Sequence, residues 1–104
     1  MASPALTEAV YFILLSLLEP MHGYGIMQQT EQLSGGRIRL AAGTLYGALN
    51  SLTEKGWIVP LPVQEESRKK EYKLTETGLV VLKNELARLQ QLVENGRQVL
   101  EEEL

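Results

Sequence analysis

The chain has 104 residues, a net charge of −3, one histidine and no cysteine or aspartate, which excludes disulfide frameworks, thiolate zinc sites and thiol nucleophiles and leaves room for one small domain with a modest core. The charge is unevenly spread: residues 1–36 and 74–104 each carry −3, whereas residues 37–73 carry +3, from Arg37, Arg39, Lys55, Arg68, Lys69, Lys70 and Lys73 against four glutamates. A basic centre on an acidic chain is enough to steer a polyanion, so the net charge does not exclude nucleic acid.

Ser3-Pro4 reads as a helix start, with Ser as cap and Pro in the first turn. The helix is expected to run to Leu18, apolar nearly all round through Leu6, Ala9, Val10, Phe12, Ile13, Leu14, Leu17 and Leu18. Its apolar run is shorter than the roughly 20 residues a membrane span needs. No Lys or Arg precedes it, so the charged start of a signal peptide is missing. A cytoplasmic protein with no membrane partner is expected. Glu19-Pro20 ends this helix, and a second is predicted from about Gly23, with Tyr24, Met27 and Leu33 inward and Gln28, Gln29, Glu31 and Gln32 outward, stopped by Gly35-Gly36. His22, in the turn before it, lacks Cys or Asp partners for a metal and reads as structural. Arg37 to Leu40 is the length of a minimal strand.

From Leu40 to Gly56 the sequence is LAAGTLYGALNSLTEKG. At 100° per residue, a helix beginning around Ala41 to Gly43 puts Leu45, Ala48, Leu49 and Leu52 on one side and Gly43, Gly47, Asn50 and Glu54 on the other. Gly47 in mid-helix costs about 1 kcal/mol relative to alanine, which calls for a reason such as close approach to another surface, with Thr44, Tyr46, Asn50 and Ser51 as neutral hydrogen-bonding groups around the gap.

Next comes WIVPLPV, where Trp57, Val59, Leu61 and Val63 alternate with Ile58, Pro60 and Pro62, a strand confined to an edge by its prolines. A charged tip, QEESRKK, leads to a returning strand with Tyr72 and Leu74 on one face and Glu71 and Lys73 on the other. Thr75 caps the last helix. There Leu79, Leu82, Leu86, Leu89, Val93, Gly96 and Leu100 follow 3- and 4-residue spacings, a heptad stripe widened by Val81, Leu92 and Val99. So much apolar surface on one helix predicts pairing with a second copy.

Three helices, a two-stranded basic wing and a heptad helix make a mostly α fold with a small β-hairpin wing: a winged helix-turn-helix over residues 1–75 and a C-terminal dimerisation helix over 76–104. The motifs HGYGI at 22–26, GTLYGAL at 43–49, EKGWI at 54–58 and KKEYKLTETG at 69–78 resemble those of the PadR-like transcriptional regulators, in a short form with a single C-terminal helix. The resemblance implies a prokaryotic repressor whose homodimer inserts the helix from Gly43 into the major groove of double-stranded DNA and lays the wing along the phosphates. In that pattern Leu45 is buried while Thr44 and Tyr46 lie near DNA. Two departures stand out. Ala41-Ala42 replace the Pro or polar cap common before the helix, and no Arg or Lys precedes Lys55 on it, so bidentate reading of guanine by this helix is not available.

On this reading Arg37, Arg39, Gly43, Thr44, Tyr46, Gly47, Asn50, Ser51, Arg68, Lys69 and Lys70 form the DNA surface, and Leu79, Leu82, Leu86, Leu89 and Val93 hold the dimer. The resemblance also implies a small hydrophobic effector at the dimer seam, where Gly96 leaves space, although no aromatic residue on the last helix is there to stack it. One histidine and scattered glutamates supply neither a nucleophile with its base nor a carboxylate pair, so no enzyme and no cofactor are expected. The alternative is a winged-helix protein-interaction module with a coiled-coil adaptor helix.

Overall fold

The structure, a computed structural model, describes residues 5–63 and 69–100. Among them are four helices, α1 (Glu8–Ser16), α2 (Gly23–Leu33), α3 (Ala42–Glu54) and α4 (Glu76–Leu100). They pack with an antiparallel sheet of β1 (Met21–His22), β2 (Ile58–Pro60) and β3 (Glu71–Leu74) in the order β1-β3-β2. Ile13, Leu14 and Leu17 from the α1 region, Ile26 of α2, Leu45, Leu49 and Leu52 of α3, Ile58, Tyr72 and Leu74 of the sheet and Leu82 of α4 form one buried core.

α1 starts later than Ser3-Pro4 predicts, and those two residues lie outside the described ones. Ala5 to Thr7 are not helical, and Thr7 is the cap, its Oγ1 accepting the Val10 N–H at 3.1 Å. The helix also stops short of Leu18. Leu17 turns into the core and its carbonyl accepts the Leu74 N–H at 2.9 Å, which ties the end of α1 to β3.

The phase of α2 differs from the expected one. Gly23, Ile26 and Thr30 face inward, while Tyr24, 64% exposed, and Leu33 face out, with Met27 between. Choosing Tyr24 as inward turns the helix by about one residue's rotation, 100°. The true inward stripe hides because glycine and threonine carry little apolar signal.

Arg37 to Leu40 form no strand. The sheet takes its third strand from Met21–His22 instead, paired to Tyr72 and Glu71. After α2 the chain turns through Gly35 and Gly36 at φ 65° and 85°, the left-handed region that glycine enters without steric cost. Buried Ser34 then fastens the turn, its Oγ accepting the Ile38 N–H at 2.9 Å.

The β2 strand is short, and Ile58 is its buried residue while Val59 is exposed. Leu61 N–H donates to Glu71 at 2.8 Å and Thr75 N–H to the Trp57 carbonyl at 3.0 Å, so the odd-numbered residues face β3. Pro60 falls on the open edge, where its missing N–H removes a template for a further strand. β3 alternates as the sequence predicts, with Tyr72 and Leu74 buried.

Thr75 caps α4: its Oγ1 accepts the Gly78 N–H at 3.0 Å and donates to the Gly56 carbonyl at 2.6 Å. Gly78 is buried, and a Cβ there would overlap the Trp57 carbonyl and stand 2.8 Å from Leu74 Cδ1. Only glycine lets the first turn of α4 lie this close to the sheet. Beyond that turn α4 runs on past the core, so the molecule measures 57 × 32 × 21 Å. No helix among the described residues is long and apolar enough to cross a membrane.

Candidate nucleic-acid interface

Burial of Leu45, Leu49 and Leu52 fixes the rotation of α3, and the remaining face presents Gly43, Thr44, Tyr46, Gly47, Asn50 and Ser51 to solvent. A methyl group added at Gly43 or Gly47 would have no neighbour within 4 Å. Among the described residues nothing therefore requires the mid-helix glycine. The backbone there is bare, flanked by neutral groups that both donate and accept hydrogen bonds.

Tyr46 leans back from this face. Its hydroxyl rests on Gly23 at the start of α2, where any Cβ would overlap the oxygen and stand 2.9 Å from Cζ. Gly23 is thus the seat of the Tyr46 ring. His22, Gly23, Tyr24, Tyr46, Lys69 and Lys70 line an open groove of about 420 Å³ that joins the start of α2, the first half of α3 and the base of the wing. Lys70 Nζ lies 5.6 Å from the centroid of the Tyr72 ring, a cation–π contact that holds one ammonium at this rim. Tyr24, expected inside, belongs to this surface. Its missed role follows from the misread phase of α2.

The arginines divide. Tyr24 also borders a second depression of about 250 Å³ with Met27, Gln28, Glu31, Arg39 and Leu40, so Arg39 continues the band that begins at the wing lysines. Arg39 Nε sits 3.3 Å from Glu31, with both side chains at least half exposed. Such a surface pair contributes at most about 1 kcal/mol and gives way readily to a stronger anion. Arg37 is paired with Glu8 in the first turn of α1, which draws it towards the α1 side of the molecule. Arg68 lies outside the described residues.

The heptad stripe divides as well. Leu82 is 5% exposed and Leu79 half-buried, both packed against the chain's own core. Leu86 and Val93, 48% and 54% exposed, begin the open stripe, and with Leu89, Gln90, Glu94 and Arg97 they line a shallow groove of about 410 Å³. At the junction sits Glu85, 2% exposed, which sequence reasoning passes over. Arg88 donates to it twice, at 2.6 and 2.8 Å, and the Leu6 amide donates at 3.1 Å. The Arg88 guanidinium holds this carboxyl below the usual carboxylate range although burial alone would raise it. The Glu-x-x-Arg spacing was the one visible signal.

Among the described residues no three His, Cys, Asp or Glu side chains come together as a metal site. The arrangement is a surface of hydroxyls, amides and cations around an exposed helix with a β-wing beside it, the winged helix-turn-helix class. Residues 13–84 match the model of the transcriptional regulator PadR-like family, and the chain belongs to that family of transcriptional regulators. A transcriptional regulator from Clostridium thermocellum is similar in structure, with a TM-score of 0.72, 25% identity and coverage of 86% of this chain and 87% of that one. A PadR family transcriptional regulator from Eggerthella lenta gives a TM-score of 0.71 and 28% identity over 88% of this chain and 80% of that one. One from Clostridium difficile gives 0.71 and 25% over 88% and 97%. A curated relative, an uncharacterised 37.1 kDa protein in transposon TN4556 of Streptomyces fradiae, is 39% identical over 79 residues, 75% of this chain and 22% of that protein. The chain thus spans about a fifth of that relative's length.

Proposed function

We propose that this regulator acts as a cytoplasmic repressor that binds a palindromic duplex as a homodimer. The observation that carries the reading is the exposed face of α3, bare at Gly43 and Gly47 and flanked by Thr44, Asn50 and Ser51, set beside a band of Tyr24, Tyr46, Lys69, Lys70 and Arg39. A helix with missing side chains approaches a groove floor closely, and the cations beside it meet phosphates. Arg68 belongs to the same wing by sequence. Arg37 contributes only if it leaves Glu8. A protein-interaction surface would instead present large apolar anchors on α3.

In this reading the dimer rests on the α4 residues beyond Glu85, namely Leu86, Leu89 and Val93, and the DNA-binding unit includes the first turns of α4. The groove beside these residues is assigned to the second subunit rather than to a small hydrophobic effector, because the same side chains form the continuous apolar stripe. A two-fold dimer presents two α3 helices to successive major grooves, so half-sites about one helical turn apart are expected. Selection of bound duplexes from a random pool tests this. An inverted repeat supports the reading, and recovery of no duplex would contradict it.

A further inference from the structure

We infer that Tyr46 positions the DNA backbone and reads no base: with Lys69 and Lys70 it seats one phosphate per half-site in the groove at the start of α2. This role rests on the DNA-binding function proposed above. Side chains on a helix lean towards its N-terminus, so Tyr46 reaches over the end of α3 that meets α2 and away from Asn50 and Ser51, which lie a turn further on. Its hydroxyl is fixed there because Gly23 gives it a seat that any larger residue would fill. Among the described residues the groove it borders is lined by two ammonium groups, two phenols and an imidazole. A phosphodiester, with one negative charge and several acceptor oxygens, matches that set of donors. Base edges present mixed donors and acceptors in a plane and match it poorly.

Seating a phosphate at this point would fix how deeply α3 enters the major groove, and base reading would fall to Thr44, Asn50 and Ser51. The two roles separate in an experiment. A duplex selected by the wild-type protein is rebuilt with single methylphosphonate links, each removing the charge of one phosphate. One position per half-site should weaken wild-type binding about tenfold, the loss expected for a hydrogen bond to a charged group. The same link should cost Tyr46→Phe less, by the share Tyr46 supplies beside Lys69 and Lys70, while links elsewhere weaken both proteins alike. Tyr46→Phe, which removes the hydroxyl from both subunits, should bind selected and unrelated duplexes about a hundredfold more weakly with their ratio unchanged, and repeated selection should return the same sequence. Gly23→Ala, which displaces the ring, should copy that pattern. A changed selected sequence, a fall in the specific-to-nonspecific ratio, or no phosphate at which the two proteins differ would overturn the role. Failure of the wild type to select any duplex would overturn the function itself, a distinct outcome.

Discussion

The Leu6 amide donates a 3.1 Å hydrogen bond to Glu85 Oε2 across 79 residues of sequence, fastening the segment before α1 to the point where α4 leaves the core. Arg88 completes the carboxylate's partners. Because the folded state holds Glu85 below its ordinary value of 4.5, the folded protein binds fewer protons there than the unfolded chain as acid is added. Its contribution to stability is therefore complete above pH 4.5 and is lost as pH falls from there through the lowered folded value. Glu85→Gln should lower the unfolding midpoint at pH 7 and flatten this acid limb. Thermal melts from pH 3 to pH 7 check both effects.

The glycines predict opposite outcomes. At Gly78 a methyl group would strike the Trp57 carbonyl, so Gly78→Ala should destabilise by about 1–3 kcal/mol, the range for overpacking. At Gly47 a methyl group has open space, and Gly47→Ala should stabilise the free protein by up to about 1 kcal/mol while weakening duplex binding. Denaturant titrations give the first comparison and fluorescence anisotropy the second.

The Thr30 Oγ1 atom is fully buried on α2 and has no hydrogen-bond partner among the described residues. A buried unpaired hydroxyl costs about 1–3 kcal/mol, so Thr30→Val, which keeps the shape and removes the polar atom, should leave stability unchanged or raise it. A lower denaturation midpoint would show that the hydroxyl is satisfied in solution.

Two leucines of the heptad should fail in different ways. Leu82→Ala removes core packing and should cost about 2–5 kcal/mol of stability. Leu86→Glu places a charge on the exposed stripe and should separate the subunits with little change in the folding of each. Sedimentation at micromolar concentration, paired with thermal melts, distinguishes the two, and a monomeric wild type would remove the dimer.

Where the sequence was legible, one periodicity dominated. α3 follows from Leu45, Leu49 and Leu52, β3 from the alternation of Tyr72 and Leu74, and α4 from its heptad. The phase of α2 is hidden in the sequence because two of its inward positions, Gly23 and Thr30, look neutral. Both Ser3 and Thr7 carry cap chemistry, and only the fold of residues 5–7 decides for Thr7. β1 has two residues and exists because β3 pairs with it, which no local pattern announces. The seat of Tyr46 on Gly23 and the burial of Glu85 are likewise contacts between distant residues, so the directions in which Tyr46, Tyr24 and Arg37 point follow from the fold and from no local pattern.

Binding of the wild-type protein to a selected duplex across a salt series, followed by fluorescence anisotropy, tests the DNA-binding account most directly. Two or three cations per subunit, drawn from Lys69, Lys70, Arg68 and Arg39, would displace counterions from four to six phosphates in the dimer, so log K should fall with log salt at a slope of about −4 to −5. Lys69→Ala should reduce that slope by about 2 on any sequence, since the change occurs in both subunits. Asn50→Ala should instead cost about 1–3 kcal/mol per base contact on the selected duplex alone. A flat salt response, with binding unaltered by either change, would contradict the account.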